Sequence, residues 1–334
     1  MASPRDGSSP LPFLRGVSFT GMNYTPGEQW PRAEAADYFI KQKRMNVVRL
    51  SLLWELMQPI LGGPLAVAQT RGIQTQIGRI AGLGAYVIIE PHIYGRRTEG
   101  GAEHIIGEGP IVTIDHFSDF WRKVAAQYSG PMILYSLMNE PHDQNSGKLV
   151  EVINGAIAAI RSTGATGPIL VPGNNWTSRT SWRRGSANFS MMADIVDPLN
   201  NWIIDYHCYF DEWSAGQKAT IEKGFINDVA FFSNWLGSSG RKAFVGEFGC
   251  AADVESLKAL QRFLDHIEAN RECWAGWAYF AGGGWWKYDH MLRLDPYASK
   301  WDPHNVFAKE AQTWEDPRPD MPQMRTLMRY LPHP

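Results

Sequence analysis

Short runs of apolar and β-branched residues recur along the chain, and most are followed by a longer stretch with apolar residues at i, i+3, i+4 and i+7. The short runs predict strands over 15–21, 46–52, 85–91, 132–138, 168–173, 202–209, 242–248 and 273–280. The longer stretches predict helices over 33–44, 71–84, 117–129, 149–164, 225–239 and 255–270, with a last one over 320–331 after a loop rich in Gly, Trp, Asp and Pro at 281–319. Eight strands alternating with helices imply an α/β fold with a parallel sheet, and eight is the number that closes into a (β/α)8, or TIM, barrel. An open doubly wound sheet competes with this reading, but the turn after the first strand, SFTGMNYTPG, lacks a GxGxxG phosphate loop. No linker and no repeat beyond the βα unit divides residues 1–334. One barrel domain is expected, with 1–14 as an N-terminal extension.

Composition agrees with a globular chain: 334 residues, 44% apolar and 20% charged, bury a sizeable core and leave no tract poor enough in apolar residues to stay disordered. A net charge of -2 gives no electrostatic case for nucleic acid or an anionic membrane surface. No segment approaches the roughly 20 apolar residues of a membrane span, and MASPRDGSSPLPF has no apolar signal core. Cys208, Cys250 and Cys273 are odd in number and lack CxxC or His/Cys zinc spacing, which argues against a disulfide framework or a zinc site.

Chemistry in a barrel gathers at the carboxyl ends of its strands, and here those ends are polar. Arg49, Glu90 and His92, Asn139 and Glu140, His207 and Tyr209, Glu247, then Trp277 and Phe280 come from six different strands. Glu140 and Glu247 end strands on opposite sides of the expected ring, so they can flank a sugar: one carboxyl to protonate the leaving oxygen, the other to attack or to activate water. Arg49 and Tyr209 near Glu247 keep it ionised, while a neutral Asn139 and an imidazole let Glu140 hold its proton longer. A zinc-dependent hydrolase would want His-x-His at the end of the first strand, which reads VSFTG instead. A carbohydrate-binding pseudoenzyme would have lost a carboxylate, and both are present.

The ordered motifs NVVRLSLLWELMQP, PHIYGR, YSLMNEPHD, ILVPGNNWTSRTSW, DYHCY, VGEFG and GWAYFAGGGWW resemble those of glycoside hydrolase family 5, most closely its endo-β-1,4-glucanase branch. The resemblance spans residues 16 to about 295. It implies a retaining double displacement in a (β/α)8 barrel that needs neither metal nor cofactor, and a β-linked oligo- or polysaccharide substrate. By the same resemblance Glu140 is the acid/base and Glu247 the nucleophile, and Asn139 binds the sugar 2-hydroxyl. Arg49 and Tyr209 hold Glu247, His207 hydrogen-bonds Glu140, and His92 contacts the central sugar. An exo-acting glycosidase or a transglycosylase on short or substituted glycosides is the alternative. The family implies a secreted or periplasmic enzyme, and the absent signal leaves the cytoplasm open.

The chain departs from that branch at Ile93 where Asn is usual, at Cys208 where Gln is usual, at Phe280 in place of a Trp, and in a short first βα loop. Phe280 offers a smaller stacking face and no indole N–H. Trp54, Trp176, Trp182, Trp285 and Trp286 are candidate sugar platforms, with Trp176 and Trp285 preferred, whereas Trp121, Trp202 and Trp235 are expected in the core. His142 is expected to support the Glu140 loop, Glu55 to form a structural ion pair, and Cys208 to be a small buried neighbour of the site. Asp205 and Asp211 have no partner identifiable in the sequence.

Overall fold

The computed structural model describes residues 11–22, 30–31, 33–286, 290–296 and 320–332. The chain begins with β1 (Leu14–Phe19), α1 (Ala33–Ala36) running into a π-helical segment at Asp37–Gln42, β2 (Val47–Leu52), α2 (Trp54–Met57) and α3 (Val67–Gly82). Then follow β3 (Tyr86–Pro91), a hairpin of β4 (Arg96–Glu99) and β5 (Ala102–Ile105), α4 (Ile114–Gln127), β6 (Ile133–Ser136), α5 (Ser146–Ser162) and β7 (Ile169–Pro172). The last part holds α6 (Asn188–Met191), β8 (Trp202–His207), α7 (Phe225–Ser239), β9 (Ala243–Glu247), α8 (Val254–Ala269), β10 (Trp274–Gly282) and α9 (Pro322–Leu327). All strands except the β4–β5 pair close into one parallel barrel, in the order β1-β10-β9-β8-β7-β6-β3-β2. The (β/α)8 expectation holds.

Each predicted strand is present within a few residues of its expected bounds. The differences lie between them. The 33–44 helix splits into α1 and the π-helical segment, and the 320–331 helix is regular only over Pro322–Leu327. No long helix separates β7 from β8; two single 3-10 turns at Asn175–Thr177 and Arg179–Trp182 and the short α6 take its place, because 173–190 lacks a 3.6-residue apolar period. Most of the first βα loop, residues 1–10 of the N-terminal extension and most of the 281–319 loop lie outside the described residues. No helix among the described residues is long and apolar enough to cross a membrane.

The helices are fixed by caps that the sequence supplies. Thr113 accepts the His116 amide with its side chain at the start of α4, Asn145 accepts the Lys148 amide before α5, and Asp253 accepts the Glu255 and Ser256 amides before α8. α7 ends at Gly240 with φ 66°.

The barrel interior changes character along its axis, and that change positions the site. Leu14, Val47, Ile88, Leu134, Leu170, Ile203, Phe244 and Ala275 form an inner apolar layer, one residue per strand. Side chains alternate across a strand, so the next inward positions are two residues on. These are Gly16, Arg49, Glu90, Ser136, Asp205 and Gly246, and beyond them Ser18, Ser51, His92 and His207. The strands are therefore apolar plugs at one end and carry buried polar groups at the other, while their outward residues pack the helices into the outer core.

Candidate active site

Two local features aim the glutamates at the barrel mouth. β6 stops at Ser136, the Asn139 amide donates to Pro91 O at 2.9 Å, and Glu140 takes a left-handed backbone with φ 39°. A non-glycine residue there is uncommon and carries strain, which is the kind of feature that gathers at functional sites. On β9 the register slips: Tyr206 faces Val245, but His207 faces Glu247. Gly246 is thus an extra residue, a bulge, and it turns Glu247 inward where plain alternation from Phe244 would send it to the outer face.

The two carboxyls, with His207, bring one donor atom each to within 4.8 Å of one another. His207 Nδ1 lies 2.7 Å from Glu140 Oε1 and 3.6 Å from Glu247 Oε2. Arg49 Nη1 donates to Glu247 Oε1 at 2.6 Å, and the Tyr209 hydroxyl donates to Glu247 Oε2 at 2.9 Å. Arg49 Nη2 donates to Asn139 Oδ1 at 2.7 Å, which fixes the amide so that its NH2 faces His92 Nε2, 3.3 Å away. Glu90 closes the network from below, 3.5 Å from Arg49 Nη1 and 3.3 Å from His92 Nδ1. Arg49, Asn139, His92, His207, Tyr209, Glu140 and Glu247 are thus brought together as the sequence predicted.

Charge then separates the two glutamates. Burial works to raise both. For Glu140, burial and the negative charge of Glu247 outweigh the His207 contact, and its carboxyl is held above the ordinary range. For Glu247, His207, Arg49 and His92 overcome burial and hold it below that range. His207 is itself raised: burial disfavours the cation, but Glu247, Glu140 and Asp205 outweigh it. At a pH between the two carboxyl values Glu140 is protonated and Glu247 ionised.

The aromatic candidates divide. Trp176 is 43% exposed, its ring lies flat on His142 with centroids 4.4 Å apart, and its amide donates to Pro141 O at 2.9 Å, which puts it beside the Glu140 loop. Asn175, Trp176 and Thr177 all have positive φ. Phe280 is buried next to the site, nearly parallel to His92 at 6.2 Å and edge-on to Trp286 at 5.6 Å. Trp285 is half-buried just past β10, and Trp286 stacks on His290 at 4.2 Å. Trp54 and Trp182 are not platforms. Trp54 is fully buried between Phe117, Phe120 and Arg97 and donates to Gln58 Oε1; Trp182 is buried against Phe189 and Phe232 and donates to Thr177 O. Trp121 and Trp202 are buried as expected, and Trp235 is half-buried against the same cluster.

His142 supports the Glu140 loop through its carbonyl, which accepts Arg96 Nη1 at 2.8 Å, as well as by carrying Trp176. Among the described residues Glu55 forms no ion pair; it accepts the Thr98 backbone amide at 2.9 Å, because the unexpected β4–β5 hairpin brings that amide over the start of α2. Cys208 is fully buried, and burial pushes its thiol up to about 12. Asp211 accepts the Ala215, Gly216 and Gln217 amides and so shapes its own loop. Sequence reasoning missed the roles of Glu90, Ser136, Asp205 and Gly246. The inward alternation Ile88–Glu90, Leu134–Ser136 and Ile203–Asp205 was the signal that could have found the first three.

A closed (β/α)8 barrel with two buried glutamates of opposite tuning at its mouth defines a glycoside hydrolase. Comparison with known proteins places it further. The model of the cellulase family, glycosyl hydrolase family 5, matches residues 12–283, and the chain belongs to that family. It is a retaining glycosidase. Endo-β-1,4-glucanase A of Emericella nidulans is 29% identical over 263 residues, covering 77% of this chain and 76% of its own. Endoglucanase 1 of a Robillarda species is 28% identical over 317 residues, covering 86% of this chain and 82% of its own. Among solved structures, XacCel5A in complex with cellopentaose superposes with a TM-score of 0.84 at 30% identity, covering 96% of this chain and 99% of that one. A triple-substituted endo-β-1,4-glucanase from Xanthomonas axonopodis pv. citri gives 0.83 at 31%, covering 95% and 98%.

Proposed function

We propose that the chain is an endo-acting β-1,4-glucanase in which Glu140 is the acid/base and Glu247 the nucleophile. The observation that carries this reading is the opposite tuning of two carboxyls that bring one oxygen each to within 4.8 Å, closer than the span that inverting enzymes keep between their carboxyls and suited to direct attack. In the first step a Glu247 oxygen bonds to the anomeric carbon while Glu140 gives its proton to the departing glycosidic oxygen. Arg49 and Tyr209 hold the attacking carboxylate in place, and the Asn139 NH2 meets the sugar 2-hydroxyl as charge builds on the ring. Forming the ester removes the charge of Glu247, one of the causes that hold the Glu140 proton. Glu140 then releases protons more readily and, as a carboxylate, takes one from the water that attacks the same carbon and frees Glu247.

A β-1,4-glucan substrate is supported by relatives named as endoglucanases and by a structural neighbour that binds cellopentaose, and these do not favour an exo-acting or transglycosylating enzyme. Trp176 serves as a platform on the leaving-group side, since its amide is tied to Pro141 next to Glu140. Trp285 and Phe280 border the other side. Action outside the cytoplasm belongs to this reading; activity retained inside spheroplasts or protoplasts would contradict it.

Substitution separates the two roles. Glu247→Gln abolishes covalent trapping by a 2-deoxy-2-fluoro cellobioside. Glu140→Gln lowers hydrolysis of cellotetraose by roughly 10²–10⁴-fold yet leaves the first step on a dinitrophenyl cellobioside nearly intact, because that leaving group needs no proton. Near-normal hydrolysis of cellotetraose by either variant overturns the assignment.

A further inference from the structure

Asp205 is a fully buried carboxylate in the layer beneath the site, and the two-glutamate chemistry does not use it. Its Oδ2 accepts the Ser136 hydroxyl at 2.9 Å, while among the described residues Oδ1 has no hydrogen-bond partner and lies 3.6 Å from His207 Nε2, which has none either. Two unsatisfied buried polar atoms facing each other call for an explanation. The gap between them is kept by Gly246. A Cβ at that position would lie 2.0 Å from Asp205 Oδ1 and 3.1 Å from His207 Nε2.

We propose that Asp205 is a positioning residue that acts through His207, holding a hydrogen on Nδ1 aimed at Glu140. Because Ser136 donates to Oδ2, any proton on Asp205 sits on Oδ1, facing Nε2. While Asp205 and His207 hold two protons between their facing atoms and Nδ1, the pair has two arrangements. Either Asp205 is a carboxylate and accepts from the Nε2–H of an imidazolium, or Asp205 is protonated and donates to Nε2 of a neutral ring. In both, Nδ1 keeps its own hydrogen and donates it to Glu140 Oε1, so the acid proton of Glu140 sits on Oε2 for the leaving group. Without Asp205 the neutral ring can carry its single proton on Nε2, and a bare Nδ1 then takes the proton that Glu140 needs. The charged groups around the pair are Glu140 after β6, Glu247 on β9, Arg49 from β2 and His92 from β3. Glu140 and Glu247 face Nδ1, at 2.7 and 3.6 Å, and favour a hydrogen there as well, whereas Asp205 is the group that faces Nε2.

This inference rests on Glu140 being the acid, and the experiment separates the two. Asp205→Ala lowers kcat/KM on cellotetraose by roughly 10²-fold and on a dinitrophenyl cellobioside by less than about threefold, since only the first substrate needs the acid. Its alkaline limb on cellotetraose moves to lower pH. Asp205→Asn recovers most of the loss, because the amide can accept from Ser136 and still offer N–H to Nε2. Ser136→Ala, a small change that keeps the fold, lowers the cellotetraose value by roughly fivefold with the same substrate contrast. Nitrogen NMR of ¹⁵N-histidine protein reports a protonated His207 Nδ1 in wild type and a mixture of tautomers in Ser136→Ala. Equal losses on both substrates, no loss at all, or no recovery in Asp205→Asn overturn the role of Asp205. Glu140→Gln is run in parallel: if it shows no substrate contrast, the acid assignment itself fails; if it does and the Asp205 variants do not, only Asp205 is excluded.

Discussion

Arg49 reaches three partners from one buried guanidinium: Nη1 donates to Glu247 at 2.6 Å and lies 3.5 Å from Glu90, and Nη2 donates to Asn139 at 2.7 Å. A lysine keeps the charge but places a single ammonium where a planar fork spans two acceptors. In Arg49→Lys either Glu247 or Asn139 is released, and a freed Asn139 no longer has its NH2 held in place for the proposed sugar contact. The expected loss is roughly 10² in kcat/KM, comparable with removing one preorganised donor. The pH profile adds a directional test. On the proposed assignment activity needs Glu247 as carboxylate, so it is lost as pH falls through a value held below the usual carboxyl range by His207 and Arg49 against burial. The same assignment needs Glu140 protonated, so activity is lost as pH rises through a value raised by burial and Glu247. Weakening the Arg49 contact moves the acid limb to higher pH and narrows the bell; an acid limb that stays put would show that Arg49 does not set the charge of Glu247.

At the scale of elements, β9 shows what the sequence carried and what it did not. The run KAFVGEF reads as a strand, and GEFG marks Glu247 as its polar end. Nothing in the letters shows that Gly246 is an extra residue in the pairing with β8, because a bulge depends on the partner strand. The same holds for β6, whose apolar run extends to Met138 although the regular strand ends at Ser136, and for the β4–β5 hairpin, whose strands are charged and short. Periodicity reports which residues prefer the inside; it does not report where two strands fall out of step. Gly246→Ala tests the bulge directly. Since the new methyl would overlap Asp205 Oδ1 at 2.0 Å from backbone-fixed Cβ, either Asp205 or the bulge must move. The expected cost is about 1–3 kcal/mol in denaturant unfolding, as for other overpacked sites, together with a fall in kcat. A variant with unchanged stability and activity would mean that the bulge has room the geometry denies.

For the whole molecule, the closed ring and most of the residues that meet at its mouth were legible, because each strand carries its own apolar stretch and six of them end in polar or aromatic residues. What joins those ends across the barrel was not, since His207 with Asp205 and Arg49 with Glu90 are pairings fixed by closure and strand alternation. Closure also shapes the field that a substrate meets. Arg49, His207 and His92 are interleaved with Glu90, Glu247, Glu140 and Asp205 inside one buried network, and the chain as a whole carries only -2. Such a site does not draw its substrate from a distance, and pairs this deeply buried are screened little by salt. A neutral β-glucan has no charge to steer. We therefore expect kcat/KM on a soluble uncharged glucan to change by less than about twofold between ~0.02 and ~0.5 M NaCl, where the screening length falls from about 20 Å to about 4 Å. Steady-state rates at fixed pH across that range provide the measurement. A tenfold decline would show that long-range charge contributes to capture, and the search for a substrate would then turn to cationic or anionic glycans.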